Sequence, residues 1–181
     1  MAMRTLVLGG ARSGKSAHAE HLLPADAPVS YVATARRDPM DPEWEKRIET
    51  HIRRRPSTWR TIEAPASAEI LGVLARAYAN ELILIDDIAT WLTGLLDDAG
   101  AWDGNEHAIF TAHRYCAALV EAVLRCPARI VLVSTEVGLG VVPESASGRL
   151  FRDELGRLNA QLAQVCDEVL LLVAGIPLRL R

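Results

Sequence analysis

Short apolar runs alternate with amphipathic stretches along the whole chain. Leu6-Val7-Leu8, Leu82-Ile83-Leu84-Ile85 and Ile130 to Val133 are unbroken apolar segments of strand length, as expected for strands buried on both faces. The strands predicted are Thr5–Leu8, Ser30–Ala33, Trp59–Glu63, Leu82–Ile85, Ile130–Val133 and Val169–Val173. The helices predicted between them are Lys15–Leu23, Pro42–Arg54, Ser67–Tyr78, Thr90–Leu96, Glu106–Leu124 and Arg149–Val165. Alternation of this kind predicts an α/β fold, a mostly parallel central sheet flanked by helices on both faces. Leu178–Leu180 is expected to fold back on Val169–Val173 as an antiparallel C-terminal edge, through Ala174-Gly175-Ile176-Pro177. No linker or repeat divides the 181 residues, so one domain spanning 1–181 is expected.

Between the first strand and first helix the chain reads Gly9-Gly10-Ala11-Arg12-Ser13-Gly14-Lys15-Ser16. This is a Walker A phosphate-binding loop. Glycines let successive N–H groups turn toward one anion, and the following helix adds the positive end of its dipole. In that motif Lys15 reaches the β- and γ-phosphates and Ser16 ligates Mg²⁺. Asp86, closing the strand Leu82–Ile85, is the candidate second Mg²⁺ ligand, with Asp87 as its competitor.

The helix Pro42–Arg54 carries two stripes at four-residue spacing. Trp44, Ile48 and Ile52 form an apolar one, which predicts an inward-packing face. Arg47, His51 and Arg55 form the other, with Arg54 close by. Positive charges one turn away on either side work against protonation of the ring, and the same arginines can hold a triphosphate. On spacing alone, the plainer reading is favoured: a solvated basic face carrying an incidental histidine. His18 and His21 read as surface residues, and His107 and His113 are not at metal-ligand spacing. Arg152, Asp153, Arg157 and Asn159 read as helix-borne structural pairing, and Glu136–Glu144 as either a substrate loop or a plain connection.

Composition narrows the function. A net charge of −3 argues against a broad nucleic-acid-binding surface. Three widely spaced cysteines, Cys116, Cys126 and Cys166, fit reduced thiols in a cytoplasm. Met1-Ala2-Met3-Arg4 leads directly into a strand without the apolar region of a signal peptide, and no run reaches membrane-span length. A soluble cytoplasmic protein is expected.

Several segments together resemble the bifunctional adenosylcobinamide kinase/adenosylcobinamide-phosphate guanylyltransferase family of cobalamin biosynthesis. They are GGARSGKS, YVAT at Tyr31–Thr34, R-I-x-x-H at Arg47–His51, R-P-x-x-W at Arg55–Trp59, EVGLGVVPE at Glu136–Glu144, FRDELGRLN at Phe151–Asn159 and the ending DEVLLLVAGIPL. The resemblance implies a P-loop NTPase fold of the RecA-like kind, assembled as a homotrimer. It implies phosphoryl transfer from ATP or GTP to adenosylcobinamide, then GMP transfer from GTP through a GMP–histidine intermediate at His51. It further implies nucleotide contacts at Gly9 through Ser16, at Thr34, Ala35 and Arg36, at Ile52, Arg53, Arg54 and Arg55, and at Glu63 and Asp86, with Lys15 catalytic beside His51. The chain departs from the family's usual pattern at Asp87-Ile88-Ala89, at Gly94, at Thr135 and in a slightly extended Arg36-Arg37-Asp38-Pro39. Two other readings stay open: a simple P-loop kinase for another alcohol, and a nucleotide-dependent switch. The switch is weakened by the lack of an Asn-Lys-x-Asp motif.

Overall fold

The computed structural model describes residues 3–181; Met1 and Ala2, part of the stretch read as unlike a signal peptide, lie outside them. The element order is β1 (Arg4–Gly9), α1 (Lys15–His21), β2 (Val29–Ala33), α2 (Pro42–Arg54), β3 (Arg60–Glu63), α3 (Ser67–Ala75), β4 (Leu82–Asp86), α4 (Ile88–Ala99), α5 (Glu106–Arg125), β5 (Arg129–Thr135), α6 (Ala146–Val165), β6 (Glu168–Val173) and β7 (Ile176–Arg179). One seven-stranded sheet has the order β3-β2-β4-β5-β1-β6-β7, and only the β6–β7 pair is antiparallel. β5 therefore separates the strand that feeds the phosphate loop from the strand that ends in Asp86. Both still deliver their C-terminal ends to the same edge, where ligands bind in open α/β sheets.

Strand alternation sorts the core into two layers. Leu6, Leu8, Ile83, Ile85, Ile130 and Leu132 face α3, α4, α5 and α6. Val7, Leu84, Val131, Val133 and Leu172 face the opposite way, toward Ala19 and Leu23 at α1, with Tyr31 and Trp59. Four helices thus cover one face, while α1 covers the other. α2 buries none of its residues. The inward-packing role expected of Trp44, Ile48 and Ile52 is corrected: that stripe lines an open cavity.

Local chemistry explains where the boundaries moved. α4 begins two residues earlier than expected because the Asp87 carboxylate caps it, accepting from Thr90 N at 3.1 Å. The final turn is tighter than expected. Ala174 and Gly175 both have positive φ, so these two residues make the hairpin and Ile176 and Pro177 belong to β7. All three cysteines are buried and free, and burial pushes the Cys116 and Cys166 thiols up to about 12. Such thiols carry little thiolate and are inert. Among the described residues, no helix is long and apolar enough to cross a membrane.

α6 is fastened to the sheet beside the ligand edge by one buried side chain. Asn159 Oδ1 accepts from Ser134 Oγ at 2.7 Å, and its Nδ2 donates to the Thr135 carbonyl at 3.0 Å. Truncation strands two buried groups, so Asn159→Ala is expected to lose about 1–3 kcal/mol. Urea unfolding checks this: the midpoint falls with the slope unchanged. An unmoved midpoint contradicts the assignment.

Candidate active site

The phosphate loop is built by glycines at positions that admit nothing larger. A Cβ on Gly9 would collide with the Ser13 side chain and approach the Leu172 carbonyl to 3.1 Å. Gly14, the N-cap of α1, has φ +88°, a conformation that side chains rarely adopt. The β6–β7 turn braces the loop from behind, Gly175 N donating to the Ser13 carbonyl at 3.1 Å. Ser13 Oγ is buried without a partner, which leaves a spare donor inside a cradle of backbone amides. That arrangement suits an anion.

Asp86 occupies the centre. Its Oδ1 accepts from Ser16 Oγ at 3.2 Å, and its Oδ2 accepts from the Tyr31 hydroxyl. His51 Nδ1 lies 3.4 Å from the same Oδ2. His51 thus has a carboxylate beside it, in a cavity that Arg47, Arg54 and Arg55 also line. Burial opposes ionisation of Asp86, but donation from His51, Tyr31 and Ser16 together outweighs it and holds the carboxyl below its usual range. Burial, reinforced by Asp86, raises the Tyr31 phenol, which stays a donor.

α2 reaches this centre through polar ties rather than core packing. Asp41 caps it by accepting from Trp44 N at 3.0 Å, and Trp44 Nε1 donates to the Arg36 carbonyl at 2.8 Å. Arg37 pairs with Glu45, and Arg54 with Glu20 of α1, each at 2.8 Å. Arg55 lies 3.7 Å over the Tyr31 ring and donates to Thr61 Oγ1 at 3.0 Å. Between α2, the phosphate loop and α4 lies a cavity of about 610 Å³.

A family model described as "Cobinamide kinase / cobinamide phosphate guanyltransferase" matches residues 5–180. The chain belongs to this family. It is 43% identical over 187 residues to the "Bifunctional adenosylcobalamin biosynthesis protein CobU" of Escherichia coli (strain K12), covering 99% of this chain and 100% of that protein. It is 42% identical over 182 residues to "Bifunctional adenosylcobalamin biosynthesis protein CobP" of Pseudomonas aeruginosa, covering 99% and 98%. Among solved structures, a prototypical ATPase from the type III secretion system of pathogenic bacteria matches with a TM-score of 0.57 at 13% identity. It covers 94% of this chain, which spans about half (51%) of that one, and it bears on the fold alone. The fold is a P-loop α/β fold.

Of the residues singled out in the sequence, Ala11 through Ser16, Ala35, Ile52, Glu63 and Asp86 line the cavity together with His51, Arg54 and Arg55. Others face elsewhere. Thr34 is buried as a tie between β2 and β4, donating to the Asp87 carbonyl at 2.7 Å and accepting from Asp87 N at 3.0 Å. Arg36 pairs with Asp98, its Nη1 2.9 Å from Oδ1, and donates to the Pro65 carbonyl at 3.0 Å. Arg53 points outward, 3.9 Å from Glu49. Gly9 and Gly10 shape the loop without lining the cavity. Tyr31 was not singled out. Its signal is a phenol on an apolar strand, at the register opposite Leu84 and one strand from Asp86.

For a divalent cation, Ser16 Oγ and Asp86 Oδ1 supply two hard oxygens. Among the described residues there is no group of three or more His, Cys, Asp or Glu able to form a closed metal cage. Two protein oxygens, with phosphate and water completing the shell, are what Mg²⁺ prefers.

Asp87 is the opposite of its neighbour: burial first, then the charge of Asp86, raises its pKa. The folded protein therefore binds this proton more tightly than the unfolded chain, and ionisation destabilises the fold as pH rises through the raised value. Asp87→Asn keeps a helix cap and removes the charge. Thermal melts without divalent cation are expected to show the variant more stable than the parent near neutral pH, with the advantage vanishing on acidification. A difference that does not vary with pH contradicts the buried-charge account.

Proposed function

We propose that this chain carries both activities of its family, at one site. In the first, the hydroxyl of adenosylcobinamide's aminopropanol arm attacks the γ-phosphorus of ATP or GTP, the bond to the β-phosphate oxygen breaks, ADP or GDP leaves, and the hydroxyl proton passes to solvent. In the second, His51 attacks the α-phosphorus of GTP, the bond to the β-phosphate oxygen breaks, and pyrophosphate leaves. The phosphate of adenosylcobinamide phosphate then displaces His51, giving adenosylcobinamide-GDP. The observation that carries this reading is His51 Nδ1 at 3.4 Å from an Asp86 carboxylate that also accepts from the phosphate-loop Ser16. A proton on Nδ1, directed at Asp86, leaves the Nε2 lone pair for attack on phosphorus.

The remaining residues have roles that follow from placement and charge. Phosphate-loop amides and Lys15 hold the polyphosphate and stabilise the charge that develops on the leaving group. Arg54 and Arg55 add positive charge on the His51 side of the cavity. Glu63 and Thr61, at the β3 edge of the cavity, are placed for the ribose or guanine of the nucleotide. Mg²⁺ held by Ser16 and Asp86 would neutralise charge on the phosphate oxygens. Ile52 and Trp44 provide an apolar wall for the nucleoside. Thr34 and Arg36 act on the site through the backbone they fix, rather than by touching nucleotide.

We further assign a homotrimer and a cytoplasmic location. β7 is one of the sheet's two edges and exposes Ile176 and Leu178, which favours a self-contact over an isolated monomer. Three buried, unpaired thiols accord with a reducing compartment.

Variant assays separate the two reactions. His51→Ala is expected to abolish GMP transfer, by at least about 10³-fold, while phosphoryl transfer from the γ-position persists. Equal loss of both overturns the two-reaction assignment. Lys15→Ala is expected to lower both, because both need the polyphosphate anchored; either activity intact in that variant contradicts a shared site.

A further inference from the structure

The segment Glu136–Glu144 takes no part in the nucleotide chemistry above, yet it is attached to the cavity at both ends. It leaves the wall at Thr135, the end of β5, and returns at Phe151 on α6, both of which line the cavity. Its backbone is tied down. Glu136 N donates to the Gly9 carbonyl at 3.1 Å, joining it to the phosphate loop. Gly138 N donates to Glu136 Oε1 at 2.5 Å, and Arg152 Nη2 donates to the Gly138 carbonyl at 2.8 Å. Arg149 Nη1 closes the far end, donating to the Pro143 carbonyl at 3.0 Å. These ties fix the two ends of the loop, and its apolar side chains lie between them. Those side chains are Leu139, Val141 and Val142, exposed by 81%, 94% and 61%.

We propose that this loop is the corrinoid-binding wall of the site. The flat face of the macrocycle rests on Leu139, Val141 and Val142, and the aminopropanol arm runs past Thr135 to the phosphates. The assignment rests on the function proposed above and adds where the acceptor sits.

Several physical constraints select this wall. The groups suited to the nucleoside, namely Glu63, Thr61, Arg55 and His51, gather on the β2–β3 side of Asp86, whereas the loop lies on the β5–α6 side. In-line transfer brings the acceptor to phosphorus from the side opposite the leaving group. A cavity of about 610 Å³ suits one nucleotide, so the bulkier macrocycle stays outside, at the rim. Exposed aliphatic side chains on the rim offer the contact that a macrocycle face needs. Three such side chains fall well short of the roughly 800 Å² per partner that a stable subunit contact takes, which favours a small ligand over a second copy.

The test uses the full chain and a Leu139→Ser/Val141→Ser double variant. Three readouts are taken: KM for adenosylcobinamide in phosphoryl transfer, corrinoid-free labelling of the protein by GTP carrying label at its α-phosphate, and mass in solution by light scattering. KM is expected to rise about tenfold or more, with labelling and mass unchanged, and Val141→Leu is expected to keep the parent KM. An unchanged KM in the double variant overturns the proposal, as does a fall in mass, which assigns the loop to subunit contact instead. If the parent protein neither takes label nor turns over adenosylcobinamide, the functional reading itself falls, and the loop assignment with it.

Discussion

The site depends on one carboxylate shared between the phosphate loop and a histidine. Asp86 is buried at the end of β4, where an unpaired charge would be strongly unfavourable. Three donors from three separate segments keep it ionised: Ser16 from α1, Tyr31 from β2 and His51 from α2. One oxygen faces the phosphate loop and the other faces the histidine. The electrostatic need of a single buried group thereby brings the phosphate loop and His51 into register. It also explains how α2, which buries none of its residues, is directed at the site. Arg55 on the Tyr31 ring and Arg54 on Glu20 fix its C-terminal end around the same centre.

Elements encoded by local pattern were legible in the sequence. The phosphate loop needs glycine at fixed positions, the apolar strands need a sheet buried on both faces, and α2 matches its expected span because Asp41 and Pro42 mark its start. What the sequence left hidden depends on long-range partners. An apolar stripe on a helix reads as core packing, and nothing local says that Trp44, Ile48 and Ile52 face a cavity instead. Arg36 and Arg53 lie beside site residues along the chain, but Asp98 and Glu49 turn their side chains away. His51 read as an incidental surface residue on spacing alone. Its partner Asp86 lies 35 positions further along the sequence, too far for any periodicity to reveal.

Positions where the chain departs from the pattern it resembles meet in space. Thr135 Oγ1 donates to Asp87 Oδ2 at 3.3 Å, so two departures form one polar contact against the cavity wall. Arg36, in the extended segment, lies across Gly94, where a Cβ would approach its Nε to 3.0 Å. The glycine makes room for a guanidinium that Asp98 then holds. Paired changes of this kind preserve packing around the site while leaving Lys15, Ser16, His51 and Asp86 in place.

The central claim is that His51, oriented by Asp86, becomes covalently bound to GMP. The most direct measurement incubates the protein with Mg²⁺ and GTP labelled at the α-phosphate, denatures it, and follows the label on the chain. The account predicts one bound label per site, acid-labile and base-stable as a phosphoramidate is, and absent from His51→Ala. A protein that transfers the γ-phosphoryl group but retains no α-label contradicts the covalent histidine mechanism and leaves a P-loop kinase.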